Sequence, residues 1–339
     1  MTTTNSSICF LGTGRITAKH ISILKKLNPA LRLSVASRDL SRAEKMKHRF
    51  GLAAAFGSYE EAIQSDFDTM VIATPPRLHF DWVEKSMKAQ KNILIEKPIF
   101  NSLAEFQKIW RDLKNYSRFV MVLENQWFDP FFQKIRNILK KNDFGRPLFL
   151  DLVRLGVQKQ KGWRADPAEM PLGALHEGGV HWIRKLLDLS NLYESDPFSS
   201  ILGVSAYAAH SLTHTPGEDT MLVMARHRSG LVSRLLHSWA IPGGFFDISK
   251  ITLEKGSVSF NSRGIWGLSR GAHFQFLTPC LGDLGGFKAM WRHIFDRLET
   301  GQKPLVTFED IYLDFSYLDA AYRSVKSGNE EEVVSIPSI

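Results

Sequence analysis

Cysteine is scarce in this sequence of 339 residues, and it has no long apolar run. The two cysteines, Cys9 and Cys280, are too few for a disulfide framework, which indicates a reducing compartment. No apolar run approaches the length that spans a bilayer, and the opening MTTTNSS has neither a basic nor an apolar leader region. We therefore expect a cytoplasmic protein with no membrane partner.

Positive charge is in excess, but it is not gathered into a patch. Lys and Arg number 43 against 35 Asp and Glu, for a net charge of +8, and the two signs interleave in stretches such as RAEKMKHRF. This scatter is not typical of nucleic-acid binding, so we expect no nucleic-acid partner. The excess suits anionic small molecules, such as phosphorylated cofactors or nucleotide sugars.

The sequence lacks repeats and low-complexity linkers, and its length exceeds that of a usual single core, which predicts two closely packed domains. Short apolar runs in the first part, such as TMVIAT and NILIEK, alternate with helical stretches. This pattern predicts an α/β domain with a doubly wound parallel sheet. Later runs such as PLFLDLVRLGV and TMLVMARH follow one another with only turns between them, which predicts an α+β domain with a mostly antiparallel sheet. We place the boundary near residues 124–130, giving domains of 1–124 and 125–339.

The stretch GTGRITAKH follows the first predicted strand and opens a helix, as a dinucleotide-binding loop does. Gly12 allows a tight turn, and Gly14 lets the backbone approach a pyrophosphate at the helix N-terminus. Thr17 stands at the third glycine position, so the fingerprint is incomplete. We expect residues 12–16 to bind a dinucleotide; the alternative is a tight turn with no ligand.

The second predicted strand ends in VASRD, where the cofactor's ribose is usually recognised. A hydroxyl and a guanidinium, from Ser37 and Arg38, suit a 2′-phosphate and predict NADP over NAD. Asp39 is the counter-argument, because a carboxylate two residues further on would suit the ribose of NAD.

Several motifs in this order resemble the Gfo/Idh/MocA family of oxidoreductases: GTGRI, ATPPRLH, EKP at 96–98, GWRADP, EGGVH at 177–181 and the closing PLVTFEDIYLDFSYLDAAYRSVKSG. The resemblance covers nearly the whole chain. It implies a Rossmann domain joined to an α+β domain with an open, largely antiparallel sheet, and an active site in the cleft between them. It also implies a homo-oligomer, a dimer or tetramer formed through the open sheet.

The stretch ATPPRLH is also predicted to reach the cofactor. The prolines of ATPPRLH end a strand, so Thr74, Pro75 and Pro76 should line the crevice at its carboxyl end, where the resemblance places the cofactor. His79 is either a cofactor-side or interface contact or a plain helix-surface histidine.

The stretch NILIEKPIF places a lysine just after an apolar strand. Lys97 is therefore expected at the carboxyl end of a parallel strand, where such sheets bind ligands. There it can hydrogen-bond to a substrate oxygen and stabilise alkoxide character. The alternative is a surface lysine that ends a strand. The resemblance associates Pro98 with a cis-like or sharply turned peptide that aims the lysine, and it implies a cofactor contact for Glu96.

The second predicted catalytic group lies in LHEGGVHW. On an α-helix Glu177 and His181 stand about 40° apart, so the carboxylate can orient an imidazole that takes the substrate proton. The family commonly has Asp in place of Glu177. Gly178 and Gly179 weaken a helix, and close approach of a ligand or a neighbouring strand is the expected reason. His176 and His181 are five apart, roughly 140° around a helix, so we expect no metal site.

Further candidate residues are Asn125, Trp127, Arg164, His210 and His214. Asn125 ends a strand and either reaches the cleft or caps the strand, and Trp127 stands where the family often has arginine, which predicts stacking rather than an ionic contact. The resemblance sets Arg164 of the WR pair near the nicotinamide, with a surface salt bridge as the alternative. His210 and His214 are structural or lie near the substrate.

Together these features predict an NADP-preferring oxidoreductase, with NAD possible, that acts on a secondary alcohol of a sugar, cyclitol or nucleotide sugar. Two alternatives stay open: a tightly held cofactor that serves net redox-neutral sugar chemistry, and a regulator that binds the cofactor without catalysis.

Overall fold

The structure is a computed structural model that describes residues 7–141, 144–194, 196–212, 215–242, 247–261, 266–270, 273–277 and 282–337. Cys280 and His214 lie outside these residues. Cys9 is buried as a free thiol, and burial raises its pKa to about 12. The chain divides into two compact units, the first of 1–125 with 286–308 and the second of 126–285 with 309–339.

The strands of the described residues are, in chain order, β1 (Ser7–Leu11), β2 (Arg32–Ala36), β3 (Ala54–Phe56), β4 (Thr69–Ile72), β5 (Asn92–Ile95), β6 (Val120–Val122), β7 (Pro147–Leu155), β8 (Ile201–Ala209), β9 (Thr220–His227), β10 (Val232–Ser238), β11 (Ile248–Leu253), β12 (Gly256–Asn261), β13 (Trp266–Arg270) and β14 (His273–Leu277).

The α-helices of the same residues are α1 (Arg15–Leu27), α2 (Leu40–Phe50), α3 (Tyr59–Gln64), α4 (His79–Lys88), α5 (Leu103–Asn115), α6 (Pro130–Lys140), α7 (Val180–Asn191), α8 (Pro197–Ser200), α9 (Phe287–Thr300) and α10 (Phe308–Ser327). None of these helices is long and apolar enough to cross a membrane.

The first unit contains a parallel sheet of six strands in the order β3-β2-β1-β4-β5-β6. This is the order of a Rossmann fold, in which the strand sequence reverses between β1 and β4. Ile8–Leu11 of β1 and Ile93–Ile95 of β5 are buried, as expected for strands covered by helices on both faces. The predicted doubly wound sheet is confirmed.

Side chains at the helix ends of this unit explain where the helices begin. Ser102 caps α5 by accepting the N–H of Glu105, whose own carboxylate accepts the N–H of Asn101 at 2.8 Å. This reciprocal arrangement satisfies two N–H groups that no helical carbonyl can reach. The start of α5 is therefore a position that the local sequence specifies.

The segment Gly286–Phe308 belongs to the first unit, whereas the domain boundary drawn from the sequence left it with the second. Its helix α9 buries Trp291, whose indole N–H donates to Nδ1 of His20 in α1 at 2.9 Å. A contact between residues so far apart in the chain leaves no local signal, which is why the sequence did not reveal it.

The second unit contains a sheet in the order β14-β13-β12-β11-β7-β10-β9-β8. The pair of β7 and β10 is parallel, and the other pairs are antiparallel. The predicted mostly antiparallel sheet is confirmed. On α7 the buried Arg184 pairs with Asp310 and Asp314 of α10 at 3.2 and 3.4 Å, which holds these helices together.

The tail of the chain covers part of the edge strand β8. Val204 and Glu331 exchange two backbone hydrogen bonds of 2.8 and 2.9 Å in an antiparallel bridge. Beside this bridge, the carboxylate of Glu330 accepts a hydrogen bond from Nε of Arg226 at 2.8 Å. The backbone groups of an edge strand can pair with other strands, and here the chain's own tail takes some of them.

Candidate active site

The glycine loop follows β1 and opens α1. Gly12 has a φ of +122°, and a Cβ atom there would lie 2.5 Å from the carbonyl oxygen of Ala73, so the turn requires glycine. Gly14 is the N-cap of α1, and a Cβ atom there would have no described atom within 4 Å. The loop thus leaves open space beside a helix N-terminus, which fits a pyrophosphate.

The rest of the loop lies in the first turns of α1. Thr13 and Ile16 are half-buried and Arg15 is exposed. The first turn carries no acidic residue, so a phosphate there would meet no like charge. Thr17, at the third glycine position, is buried and donates its hydroxyl to the carbonyl of Gly12 at 2.9 Å. This departure from the fingerprint therefore ties the loop to its helix.

The end of β2 carries the residues predicted to select the cofactor. Ser37 is buried, and its Oγ accepts the N–H of Asp39 at 3.2 Å. The carboxylate of Asp39 caps α2 by accepting the N–H and hydroxyl of Ser41 at 2.9 and 2.7 Å, which holds the pKa of Asp39 below its ordinary value. Arg38 is exposed and lies near Tyr59. Burial raises the pKa of the Tyr59 hydroxyl, although the positive charge of Arg38 acts to lower it. Asp39 is thus engaged in a helix cap.

The segment after β4 contains the predicted cofactor contacts Thr74, Pro75, Pro76 and His79. Thr74 is buried, and its hydroxyl has no hydrogen-bond partner within the described residues; Pro76 begins a short 3-10 helix. Nε2 of His79 lies 2.8 Å from the carbonyl of Thr74, and Nδ1 lies 3.0 Å from that of Ile99. His79 is completely buried, which lowers its pKa, so the alternative of a surface histidine is wrong.

β5 runs through buried residues into the EKP motif. Lys97 is half-buried at the carboxyl end of this strand, and its peptide bond to Pro98 is cis. The carboxylate of Glu96 is buried, and its Oε1 lies 2.7 Å from Nε2 of His20. Its Oε2 accepts a hydrogen bond from the backbone N–H of Lys97 at 3.2 Å. Both oxygens of Glu96 are therefore engaged within the first unit, and its predicted contact with the cofactor stays a prediction.

Asn125 and Trp127 follow β6. Asn125 is buried and begins the short 3-10 helix Asn125–Phe128. Trp127 is buried too, and its indole N–H donates to Asp188 at 3.0 Å, while the guanidinium of Arg136 lies 5.3 Å from its ring centroid. The indole is thus held within the second unit, and its stacking on a substrate stays a prediction.

The stretch LHEGGVH is not one α-helix. Residues Leu175–Gly179 form a π-helix, and α7 begins at Val180. A π-helical turn contains more residues than an α-helical turn, so the angle of about 40° expected between Glu177 and His181 does not apply. Both side chains are buried. Oε1 of Glu177 accepts Nε of Arg164 at 2.9 Å, so the carboxylate has a charged partner that the sequence did not reveal.

The two glycines of this turn have a packing role. A Cβ atom on Gly178 would lie 3.2 Å from ring atoms of His237 and Trp239, and one on Gly179 would lie 2.7 Å from Leu175. His237 is in β10, so the glycines let the turn approach the neighbouring strand closely. This is one of the two reasons expected from the sequence.

Arg164 is fixed from two sides. Its guanidinium lies 4.2 Å from the ring centroid of Trp163, and Trp163 packs on a buried cluster of Met170, Ala174 and Trp239. Arg164 therefore forms a salt bridge, as in the alternative left open by the sequence, but in a partly buried setting, with 31% of its own side chain and 10% of that of Glu177 exposed. Its predicted contact with the cofactor stays a prediction.

Glu218 holds the start of the π-helix, a role that the sequence did not indicate. Its carboxylate accepts the N–H groups of Gly173 and Leu175 at 3.1 and 2.9 Å and the hydroxyl of Tyr322 at 2.9 Å. Burial raises the pKa of Glu218. Its setting in the turn-like PGED gave no periodic signal of burial.

His20 is a second buried polar residue that the sequence did not single out. It lies on the buried face of α1 with Thr17, Ile21 and Leu24, at the spacing of an amphipathic helix. A histidine within such a stripe was the available signal.

Two family models match the chain: "Oxidoreductase family, NAD-binding Rossmann fold" over residues 7–124 and "GFO/IDH/MocA C-terminal domain" over residues 132–259. The trans-1,2-dihydrobenzene-1,2-diol dehydrogenase of Xenopus tropicalis is 29% identical over 153 residues, which are 45% of this chain and only 46% of that protein. The myo-inositol 2-dehydrogenase of Thermotoga maritima is 21% identical over 253 residues, 73% of each protein.

Among solved structures, levoglucosan dehydrogenase in complex with NADH and levoglucosan has a TM-score of 0.82 at 19% identity, covering 97% of this chain and 100% of that one. At this identity the likeness shows the fold alone. Because the two family models together match more than half of the residues, the chain belongs to the Gfo/Idh/MocA family of oxidoreductases, with an NAD-binding Rossmann fold in its first unit.

Proposed function

We propose that this protein is an NADP-preferring dehydrogenase or reductase acting on a secondary alcohol, or the corresponding ketone, of a sugar, cyclitol or nucleotide sugar. The observation that carries the proposal is the location of Lys97. Its ammonium-bearing side chain follows the carboxyl end of β5, in the same parallel sheet whose β1 leads into the Gly12 turn. Ligands of doubly wound sheets bind outside the carboxyl ends of the strands.

The catalytic roles follow from the chemistry of the side chains. When bound, the nicotinamide cofactor donates or accepts the hydride. Lys97 donates a hydrogen bond to the substrate oxygen and stabilises its alkoxide character. His181 takes the hydroxyl proton in oxidation and returns it in reduction. Glu177, held by Arg164, orients the imidazole of His181.

The preference for NADP has two supports. Arg38 follows the end of β2 and Arg42 lies in the first turn of α2, so two guanidinium groups occur close to the strand end in sequence. Guanidinium groups suit a 2′-phosphate. The carboxylate of Asp39, which would favour NAD, is engaged in capping α2.

The substrate class is supported by the relatives. Their names contain a ring diol and inositol. We infer that this protein likewise acts on a ring hydroxyl of a polyol.

The domains, assembly and location are proposals of the same kind. Residues 1–124 serve as the cofactor-binding domain, which the segment 286–308 joins, and the rest of residues 125–339 serves substrate binding and oligomerisation. The second sheet exposes Tyr207, Met224 and Ile248, which the strand register sets on one face, and we propose that this face forms a dimer or tetramer interface. The free buried thiol of Cys9 supports a reducing, cytoplasmic location.

A screen of the purified protein tests the function. NADP or NAD is mixed with sugars, sugar acids, cyclitols and nucleotide sugars, and the absorbance of the reduced nicotinamide is followed. We expect turnover with at least one polyol, and a higher kcat/KM with NADP. Absence of turnover throughout the panel would overturn the function, and a preference for NAD of about tenfold or more would overturn the cofactor assignment alone.

A further inference from the structure

Three buried polar side chains, Trp291, His20 and Glu96 of the EKP motif, are joined by hydrogen bonds. The indole N–H of Trp291 donates to Nδ1 of His20 at 2.9 Å, and Nε2 of His20 lies 2.7 Å from Oε1 of Glu96. His20 and Trp291 have no exposed surface, and Glu96 is 7% exposed. Bonds to a charged acceptor in such an environment are strong.

The partners fix which nitrogen of His20 carries its proton. An indole N–H can only donate, so Nδ1 of His20 must accept and carry no hydrogen. Nε2 therefore bears the proton and donates it to the Glu96 carboxylate. Trp291 thus determines that His20 presents a donor to Glu96.

The far oxygen of Glu96 acts on the lysine. Oε2 accepts the backbone N–H of Lys97 at 3.2 Å, so one carboxylate joins the His20 ring to the backbone from which the lysine side chain projects. Two residues beyond Lys97, the carbonyl of Ile99 faces Nδ1 of the buried His79 at 3.0 Å. The turn that bears Lys97 is therefore held on both sides by buried imidazoles.

The location of His20 extends this coupling to the cofactor loop. His20 is in α1, the helix that begins directly after Gly14. The hydrogen bond from His20 to Glu96 consequently ties the helix of the dinucleotide loop to the turn that carries Lys97. A group that stabilises developing charge must be held within a fraction of an ångström, because small displacements lower the rate steeply.

We propose that Trp291, His20 and Glu96 form a relay of hydrogen bonds that positions Lys97 relative to the cofactor loop. His20 is then a positioning residue of the reaction. The inference rests on the proposed function, in which Lys97 acts on the substrate oxygen. The competing explanation is a buried polar cluster that only stabilises the fold, since such clusters occur without any catalytic role.

Two substitutions at His20 separate these explanations, because each keeps one of its two hydrogen bonds. In His20→Gln the amide nitrogen reaches the position of Nε2 and still donates to Glu96, while the acceptor for Trp291 is lost. In His20→Asn the amide oxygen takes the position of Nδ1 and still accepts from Trp291, while the donor to Glu96 is lost. Both variants lose one buried hydrogen bond, so their thermal midpoints should fall by similar amounts.

Catalysis should differ between the two variants. We expect kcat of His20→Asn to fall by about 10 to 100-fold at unchanged KM for the alcohol, and His20→Gln to recover most of that loss. Glu96→Gln should resemble His20→Asn, because its amide N–H₂ must face either the N–H of Lys97 or the proton of His20. Equal kcat in the two His20 variants, with equal loss of thermal stability, would overturn the relay and leave a structural cluster.

The ring nitrogen of His20 that carries the proton can be identified without any substrate. In ¹⁵N spectra of histidine-labelled protein, the signals that disappear in His20→Gln should be those of a ring protonated at Nε2 only. A ring protonated at Nδ1 would overturn the relay in an active or an inactive enzyme. If the wild type turns over no alcohol, the proposed function fails and the catalytic role of the relay fails with it, whereas an active wild type with an unaffected His20→Asn variant removes the relay alone.

Discussion

Arg164 donates from Nε to Oε1 of Glu177 across 2.9 Å, and its guanidinium lies over the ring of Trp163. This pair changes how Glu177 is understood. The family commonly has a shorter acid at this position, and here the longer side chain of Glu177, in a π-helical turn, reaches an arginine from another segment. Arg164 and Glu177 therefore form one unit, and a change in either should be felt by the other.

Replacing Arg164 with Met should destabilise the fold by about 1 to 2 kcal/mol, because a nearly buried carboxylate loses its charged donor. The estimate is modest because the Arg164 side chain is 31% exposed. Urea unfolding of Arg164→Met, Glu177→Gln and the double variant measures the coupling. The double variant should lose less than the sum of the two single losses, and strictly additive losses would contradict the pairing.

Lys97→Met should abolish most turnover while the cofactor still binds. Loss of one donor to a developing oxyanion lowers kcat by about 100 to 1,000-fold. Fluorescence titration with NADPH and steady-state kinetics make the comparison. Lys45→Met, at an exposed position on α2, is the matched control and should behave as the wild type. Substantial residual kcat in Lys97→Met would remove the lysine from the chemistry.

Arg38→Ala should weaken NADP binding by about tenfold or more and leave NAD binding nearly unchanged, because one charge-assisted bond to the 2′-phosphate is lost. Dissociation constants for both cofactors report this. Arg49→Ala, at an exposed arginine in the last turn of α2, the helix that follows Arg38, is the control for net charge. An equal loss for NADP and NAD would show that Arg38 does not read the 2′-phosphate.

The two loop glycines should fail in different ways. Gly14→Ala should fold normally, since the new methyl group has no described atom within 4 Å, but should bind the cofactor more weakly because the methyl group occupies the approach to the backbone. Gly12→Ala should lose stability as well, because its φ of +122° and the carbonyl of Ala73 leave no place for a Cβ atom. Thermal unfolding with and without NADP distinguishes the two, and normal cofactor affinity in Gly14→Ala would contradict the loop assignment.

Glu218 should give stability a pH dependence. Its pKa is raised above the ordinary 4.5, so the folded state holds this proton more tightly than the unfolded chain. Its contribution is then largest at low pH and falls as pH rises through the raised pKa. Glu218→Gln should cost about 1 to 3 kcal/mol, since an amide N–H₂ must face the N–H of Gly173 or Leu175.

The pH test compares unfolding of the wild type and Glu218→Gln from pH 5 to pH 8, a range chosen to begin about half a unit above the ordinary pKa of Glu. The stability advantage of the wild type should shrink as pH rises. Glu84→Gln, at a half-buried position on α4 where the carboxylate lies 3.8 Å from Nζ of Lys88, serves as the control and should not show this decrease. A constant difference between the wild type and Glu218→Gln would contradict the burial effect.

The sequence was informative where structure is local. Parallel strands buried on both faces are continuous apolar runs, so the order of strands and helices in the first unit was predictable, as was the change to long alternating strands. Packing between distant segments was not. The return of α9 to the first unit and the bond between His20 and Glu96, 76 positions apart, leave no pattern in either segment. The π-helix at Glu177 occurs where Gly178 closely approaches His237 of another segment, and no helical period encodes that approach.

The bridge between Val204 and Glu331 has a practical consequence for work with this protein. A chain shortened before Glu330 would lose both the backbone pairing on β8 and the carboxylate that binds Arg226. The uncovered edge would then offer free N–H and C=O groups to strands of other molecules, a common route to aggregation. Shortening this end, for example to improve crystals, would therefore remove the segment that prevents such strand pairing at the edge of the sheet.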